Sequence, residues 1–258
     1  GWIKGKGIDA PGAKYKDSKG NVINSGGVTT FSNFSVVSEN RVTIIPKNIP
    51  LDIAVLFGCA LPTGAGIVFN ELNLKQNENC LVIGLGGIGL SALMAINEYQ
   101  PKNLIAIDVS DEKLHMAKLF GANHVINSKT QNVNEEINKI CPYGVDACVE
   151  SAGKIETIEL GFSLIKNSGR LYFASHPEQG RFIKIDPFEL ISGKQIFGSW
   201  GGACNPDSDI PRLAESYKNG SFPLEKLITQ RYKLTEINDA LSDLENGLVF
   251  RPLIEMTH

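Results

Sequence analysis

The segment Gly84-Leu85-Gly86-Gly87-Ile88-Gly89 stands between the apolar run 80–83 and the helix-favouring run Leu90-Ser91-Ala92-Leu93-Met94-Ala95. A glycine-rich turn between a strand and a helix start suits a pyrophosphate. Gly84 permits the tight turn, Gly86 lets the main chain approach phosphate oxygens with no Cβ in the way, and Gly89 lets the helix pack close to the strand. Gly87 and Ile88 lie at the helix start, where unpaired N–H groups and the positive dipole end favour an anion. A glycine turn alone is weak evidence, but a second signal follows in the right order. The next apolar run, 104–107, ends in Asp108, close to the spacing of roughly 20 residues expected for a carboxylate that binds the adenosine ribose. That carboxylate would repel a 2′-phosphate, so the pattern points to NAD(H) rather than NADP(H). Lys113, a turn further on, either reaches the same ribose or is a solvated helix lysine.

The elements that must position this turn are read from hydrophobic patterning. Apolar strand candidates fall at 80–83, 104–107, 124–126, 145–149, 170–174 and 195–199, most of them separated by helix-length amphipathic stretches. Such alternation predicts an α/β fold with a doubly wound parallel sheet, because each right-handed crossover lays a helix on one face. Ahead of it, residues 1–28 read as a loop-like arm, 29–37 and 41–45 as two short strands, and 51–72 as two helices joined near Leu61-Pro62-Thr63. After the sheet, helices at 210–217 and 236–244 and a last strand at 251–255 read as a second domain.

Composition excludes several partner classes. With 42% hydrophobic and 21% charged residues in 258 and a net charge of −3, the chain has an ordinary globular make-up and no basic excess, so neither nucleic acid nor a membrane surface is an expected partner. No apolar run approaches the roughly 20 residues that span a bilayer, and no signal-peptide core is present, so a cytoplasmic location is expected. Five scattered cysteines without a CxxC pair predict neither a disulfide framework nor a zinc knuckle. The first residue is Gly rather than Met, which reads as a processed or shortened chain.

From about Thr29 onward the motifs resemble those of the medium-chain, zinc-dependent alcohol dehydrogenase family. Phe-Ser-Asn-Phe-Ser-Val-Val at 31–37 resembles the family's return strand, Gly-Cys-Ala-Leu-Pro-Thr-Gly-Ala-Gly at 58–66 its zinc-ligand and nicotinamide-contact helix, and Gly-Val-Asp-Ala-Cys-Val-Glu at 144–150 its fourth sheet strand. Leu-Thr-Glu-Ile-Asn-Asp-Ala-Leu at 234–241 also fits. The resemblance implies a Rossmann domain, 61–199, inserted into a GroES-like β-rich catalytic domain made from 1–60 and 200–258. It implies Cys59 as one protein ligand of a catalytic zinc, Thr63 beside the reacting nicotinamide, and Arg251 as the cation on the pyrophosphate. Main chain around Ser151, Phe173, Ala174 and Ser175 would line the nicotinamide half of the cleft. The implied activity interconverts a small alcohol or polyol with its carbonyl compound by hydride transfer to NAD, with zinc acting as a Lewis acid on the substrate oxygen. Subunit pairing through 195–199 would give a homodimer or homotetramer.

The family's other two catalytic zinc ligands, its structural zinc cysteines and its proton relay come from a segment N-terminal to the matched region. The expectation is therefore a shortened chain that binds NAD without holding zinc or turning over alcohols alone. The alternative is a non-catalytic NAD(H)-binding sensor or scaffold.

Overall fold

The computed structural model describes residues 15–23, 30–37, 39–174 and 176–256. Within the arm, β1 (Tyr15–Lys16) and β2 (Val22–Ile23) pair antiparallel across a turn in which the Asp17 carboxylate accepts from the Lys19 and Asn21 N–H groups at 2.9 and 2.8 Å. This hairpin corrects the all-loop expectation for the described part of the arm; residues 1–14 and 24–28 lie outside the described residues. The two strands expected at 29–37 and 41–45 do not form among their described residues, which are bends and irregular coil, with a 3-10 turn at Glu39–Arg41 between them. Phe34 and Ile44 are 86% and 91% exposed. β-favouring residues need a neighbouring ladder, and among the described residues none pairs with them.

The helical stretch that follows is broken at Cys59, not at 61–63. α1 (Leu51–Ala54) runs into a 3-10 turn, Val55–Gly58, and Cys59, with φ −145° and ψ −77°, caps α2 (Ala60–Gly66). Pro62 falls in the first turn of α2, where its missing N–H would have had no intrahelical partner anyway. A π segment, Ile67–Glu71, closes the stretch with the Leu72 N–H donating to the Ile67 carbonyl at 2.8 Å.

Strands and helices then alternate as patterning requires. β3 (Asn79–Ile83), α3 (Gly87–Glu98), β4 (Asn103–Asp108), α4 (Asp111–Leu119), β5 (His124–Asn127) and α5 (Val133–Ile140) make one half. β6 (Val145–Glu150), α6 (Ile155–Leu164), β7 (Ile165–Phe173), α7 (Pro187–Ile191) and β8 (Gln195–Gly198) make the other. The six strands lie in the order β5-β4-β3-β6-β7-β8, every neighbour parallel. β7 starts five residues before the expected position because Ile165 pairs with Val145 and the chain then bulges, with Ser168 at φ 66°. α8 (Pro206–Lys218), β9 (Ile228–Lys233), α9 (Ile237–Glu245) and β10 (Arg251–Glu255) follow; β9, not foreseen from the sequence, pairs parallel with β10.

Both faces of the sheet are covered. Cys80 and Val82 of β3 point into a core shared with α2, α3 and α8, while Leu81 and Ile83 point into one shared with α5 and α6. α3 is buried from Gly89 to Ile96, because α2 lies on its outer side. That approach needs glycine: a Cβ at Gly64 would sit 2.1 Å from the Ile88 carbonyl oxygen. α5, with solvent on its outer face, carries one fully buried side chain, Ile137. A parallel sheet clad on both faces accounts for the continuous apolar strands, each fully buried Leu or Ile contributing about 1.5–3 kcal/mol.

Candidate functional site

The strand order reverses between β3 and β6, and ligands of open parallel sheets bind at such a switch, beyond the C-terminal strand ends. The glycine turn leaves β3 at this point. Gly84 has φ 84°, and a Cβ there would lie 2.6 Å from the Ala152 main-chain nitrogen. At Gly89 a Cβ would lie 1.8 Å from the Gly84 carbonyl oxygen, so helix and turn touch through main chain alone. Gly86 is exposed and faces open space, which leaves its main chain free to meet a phosphate. Gly87 and Ile88 open α3 as the sequence indicated.

Asp108 ends β4 and is buried. Its Oδ2 accepts from the Leu85 N–H at 2.7 Å, and its Oδ1 from Val109 and Ser110 N–H at 2.8 and 3.0 Å. The acid thus clamps the glycine turn as well as standing where the adenosine ribose is expected, and lone pairs remain for ribose hydroxyls. Ser110 caps α4, its hydroxyl accepting from the Lys113 N–H. Lys113 is half-buried in that first turn. Ser151 joins the turn directly, its N–H donating to the Ile83 carbonyl at 2.9 Å and its hydroxyl to the Gly84 carbonyl at 2.8 Å. Phe173 ends β7 and Ala174 follows it, the Ala174 N–H donating to the Glu150 carbonyl at 3.1 Å. Ser175 lies outside the described residues.

Arg251, at the start of β10, is brought from the far end of the chain onto the helix start. A Cβ on Gly87 would meet its guanidinium nitrogen at 1.6 Å. Burial lowers the pKa of this guanidinium, and the nearby Cys59 opposes that shift. A cation on the glycine turn complements the charge of a pyrophosphate. Main chain, ribose acid and cation together suit a dinucleotide such as NAD.

Thr63 is buried on α2, its N–H donating to the Cys59 carbonyl at 3.0 Å. Its own carbonyl packs on Gly202, where a Cβ would sit 2.4 Å away. Cys59 is exposed, and among the described residues no group of three or more His, Cys, Asp or Glu gathers as a metal site would require. The described residues alone do not fit a tetrahedral zinc with an open position.

Two site residues escaped the sequence reading. Glu150, fully buried at the end of β6, accepts from the Ala152 and Gly153 N–H groups at 2.8 and 3.1 Å and from the Thr157 hydroxyl at 2.7 Å. It fixes the loop that abuts Gly84. An acid ending an apolar strand, the signal that singled out Asp108, was equally present there. Ser110 before Asp-Glu carries the usual signature of a helix cap.

The family description "zinc-binding dehydrogenase" matches residues 87–219, just over half of the chain. The alcohol dehydrogenase class-2 isozyme 2 of Oryctolagus cuniculus is 31% identical over 231 residues, covering 88% of this chain and 61% of the relative. The S-(hydroxymethyl)glutathione dehydrogenase of Saccharomyces cerevisiae is 28% identical, covering 98% and 67% respectively. Among solved structures, benzyl alcohol dehydrogenase from Acinetobacter calcoaceticus superposes with a TM-score of 0.87 at 32% identity, over 93% of this chain and 68% of that one. This chain thus spans about three fifths of the rabbit relative's length.

Proposed function

Because this chain belongs to the zinc-binding dehydrogenase family of medium-chain alcohol dehydrogenases, we propose that it is the NAD-binding and C-terminal part of an enzyme that interconverts an alcohol or polyol and a carbonyl compound. The observation that carries this reading is the three-sided grip formed by the open Gly86 main chain, the Asp108 carboxylate clamped to Leu85, and the Arg251 guanidinium lying on Gly87. When bound, the nicotinamide supplies hydride acceptance or donation. The chain's own residues hold and orient it. The α3 start and Arg251 neutralise the pyrophosphate, Asp108 takes the ribose and repels a 2′-phosphate, and Ser151, Phe173 and Ala174 border the nicotinamide half. Residues 61–199 form the cofactor domain in this proposal, with 1–60 and 200–258 belonging to the catalytic one.

Among the described residues Cys59 alone does not complete a zinc site, whereas the dinucleotide grip is formed without it, so NAD binding is expected to be separable from metal-dependent turnover. Its open β8 edge, with Phe197 exposed, favours pairing of two copies across a two-fold axis. Fluorescence titration tests the cofactor assignment: NADH should bind much more tightly than NADPH, and equal affinities overturn it. Metal analysis with an alcohol and polyol panel tests the separation. Stoichiometric zinc together with zinc-dependent turnover overturns it, and NADH binding without either supports it.

A further inference from the structure

Asp108 is held by its neighbours, and those neighbours are held from the next strand. Across β4 and β5, Asp108 pairs in register with Asn127, which is 7% exposed. The Asn127 N–H donates to Gln131 Oε1 at 2.9 Å, and its Oδ1 accepts from the Lys129 N–H at 3.0 Å. Both of these stay within the turn after β5. The remaining donor, Nδ2, leaves the turn and reaches Asp111 Oδ1 at 2.6 Å. Asp111 is the first residue of α4 and follows Ser110, whose N–H lies on Asp108 Oδ1. The ring of contacts Asp108, Ser110, Asp111, Asn127 and back to Asp108 is closed on every side by main chain, strand register or hydrogen bond.

We propose that the Asn127–Asp111 hydrogen bond is a strap that fixes the turn 108–111, making Asn127 a positioning residue for adenosine-ribose recognition and for the preference of NAD over NADP. This rests on the NAD reading above. Selectivity against a 2′-phosphate needs a carboxylate that cannot swing aside, because specificity is a difference between two affinities. Val109, between the acid and the cap, is 47% exposed and adds little packing to hold the turn.

The test is Asn127→Asp, Asp111→Asn and the double variant in the full chain, with NADH, NADPH and ADP-ribose as probes. Asn127→Asp sets two carboxylates against each other and should weaken NADH and ADP-ribose roughly tenfold while NADPH weakens less, narrowing the preference several-fold. The double variant keeps the wild-type net charge and reverses the hydrogen bond, so it should return affinity and preference to within about twofold of wild type. A purely structural role would not restore selectivity by that exchange. If Asn127→Asp does not fold, Asp111→Ala, at an exposed position, carries the same comparison. Unchanged preference in the single variants, or a double variant no better than Asn127→Asp, overturns the strap alone. A wild-type chain that binds neither NADH nor ADP-ribose overturns the NAD reading and the strap with it.

Discussion

The six-stranded sheet and the β9–β10 ribbon are both parallel pairings, yet they sit in opposite surroundings. In β3, Leu81 and Val82 are fully buried between two helical layers, whereas four of the five residues of β10 are only half-buried. α9 contributes one buried side chain, Ala240, and ties Tyr232 of β9 through a 2.6 Å hydrogen bond to Asp243. A parallel pair is stable when both faces are clad. The sheet meets that condition from within the chain, and the ribbon meets it poorly. The sheet is therefore the stable frame of the proposed cofactor site, to which the ribbon brings the Arg251 side chain on Gly87.

The largest expected effect probes the frame where it has no spare room. Gly89→Val would set a Cβ 1.8 Å from the Gly84 carbonyl and 2.7 Å from the Ser151 hydroxyl. A loss of about 3 kcal/mol or more in urea unfolding, with NADH binding abolished, is expected. Wild-type stability in this variant would mean that the turn and helix are not in contact.

Next comes the contrast itself. Leu81→Ala in β3 should cost about 3 kcal/mol through lost burial and a residual cavity, while Ile44→Ser, at a residue 91% exposed, should change stability by no more than about 0.5 kcal/mol. Similar costs at both positions would break the division into frame and flank.

Arg251→Gln sharpens it from the flank side. Removing the cation should weaken NADH about tenfold, near 1.4 kcal/mol, and make binding less sensitive to salt, with a smaller change in folding stability. A large stability loss without an affinity change would assign Arg251 to packing instead.

The smallest effect lies where the frame meets the loop after β8. Burial raises the pKa of Glu71, partly offset by the Ser199 hydroxyl that donates to it at 2.5 Å. An acid with a raised folded-state pKa holds its proton longer in the native state, so stability falls as pH rises from the ordinary carboxylate value through the raised one. Glu71→Gln should remove that decline, seen as a flatter pH dependence of melting temperature on the acid side of neutrality. An unaltered pH profile would place the effect in another group.

Within the sheet, sequence patterning located all six strands, most plainly β3, β4 and β6, which are buried on both faces and apolar along nearly their whole length; the polar, half-exposed start of β7 was missed. The flanks resisted the same approach. Phe31, Phe34 and Val36 look like strand residues, but a strand exists only where another is available to pair with it, and composition does not carry that information. The helix break was misplaced for a related reason: Pro62 reads as a breaker until its place in a first turn is known, while Cys59 has no breaker chemistry and is set by the chain's course into α2.

The sequence by itself determined the doubly wound sheet, the glycine turn and the acid at the end of β4, since those depend on local sterics, hydrophobic period and a fixed loop-to-strand distance. Only the tertiary structure decided how groups outside the turn meet it: it sets Arg251, which the family resemblance had implied, on Gly87, holds the loop beside Gly84 to Glu150, and ties Asn127 to Asp111. The Asn127–Asp111 and Arg251–Gly87 contacts join residues 16 and more than 160 positions apart, and no local propensity encodes where two remote segments of chain will meet.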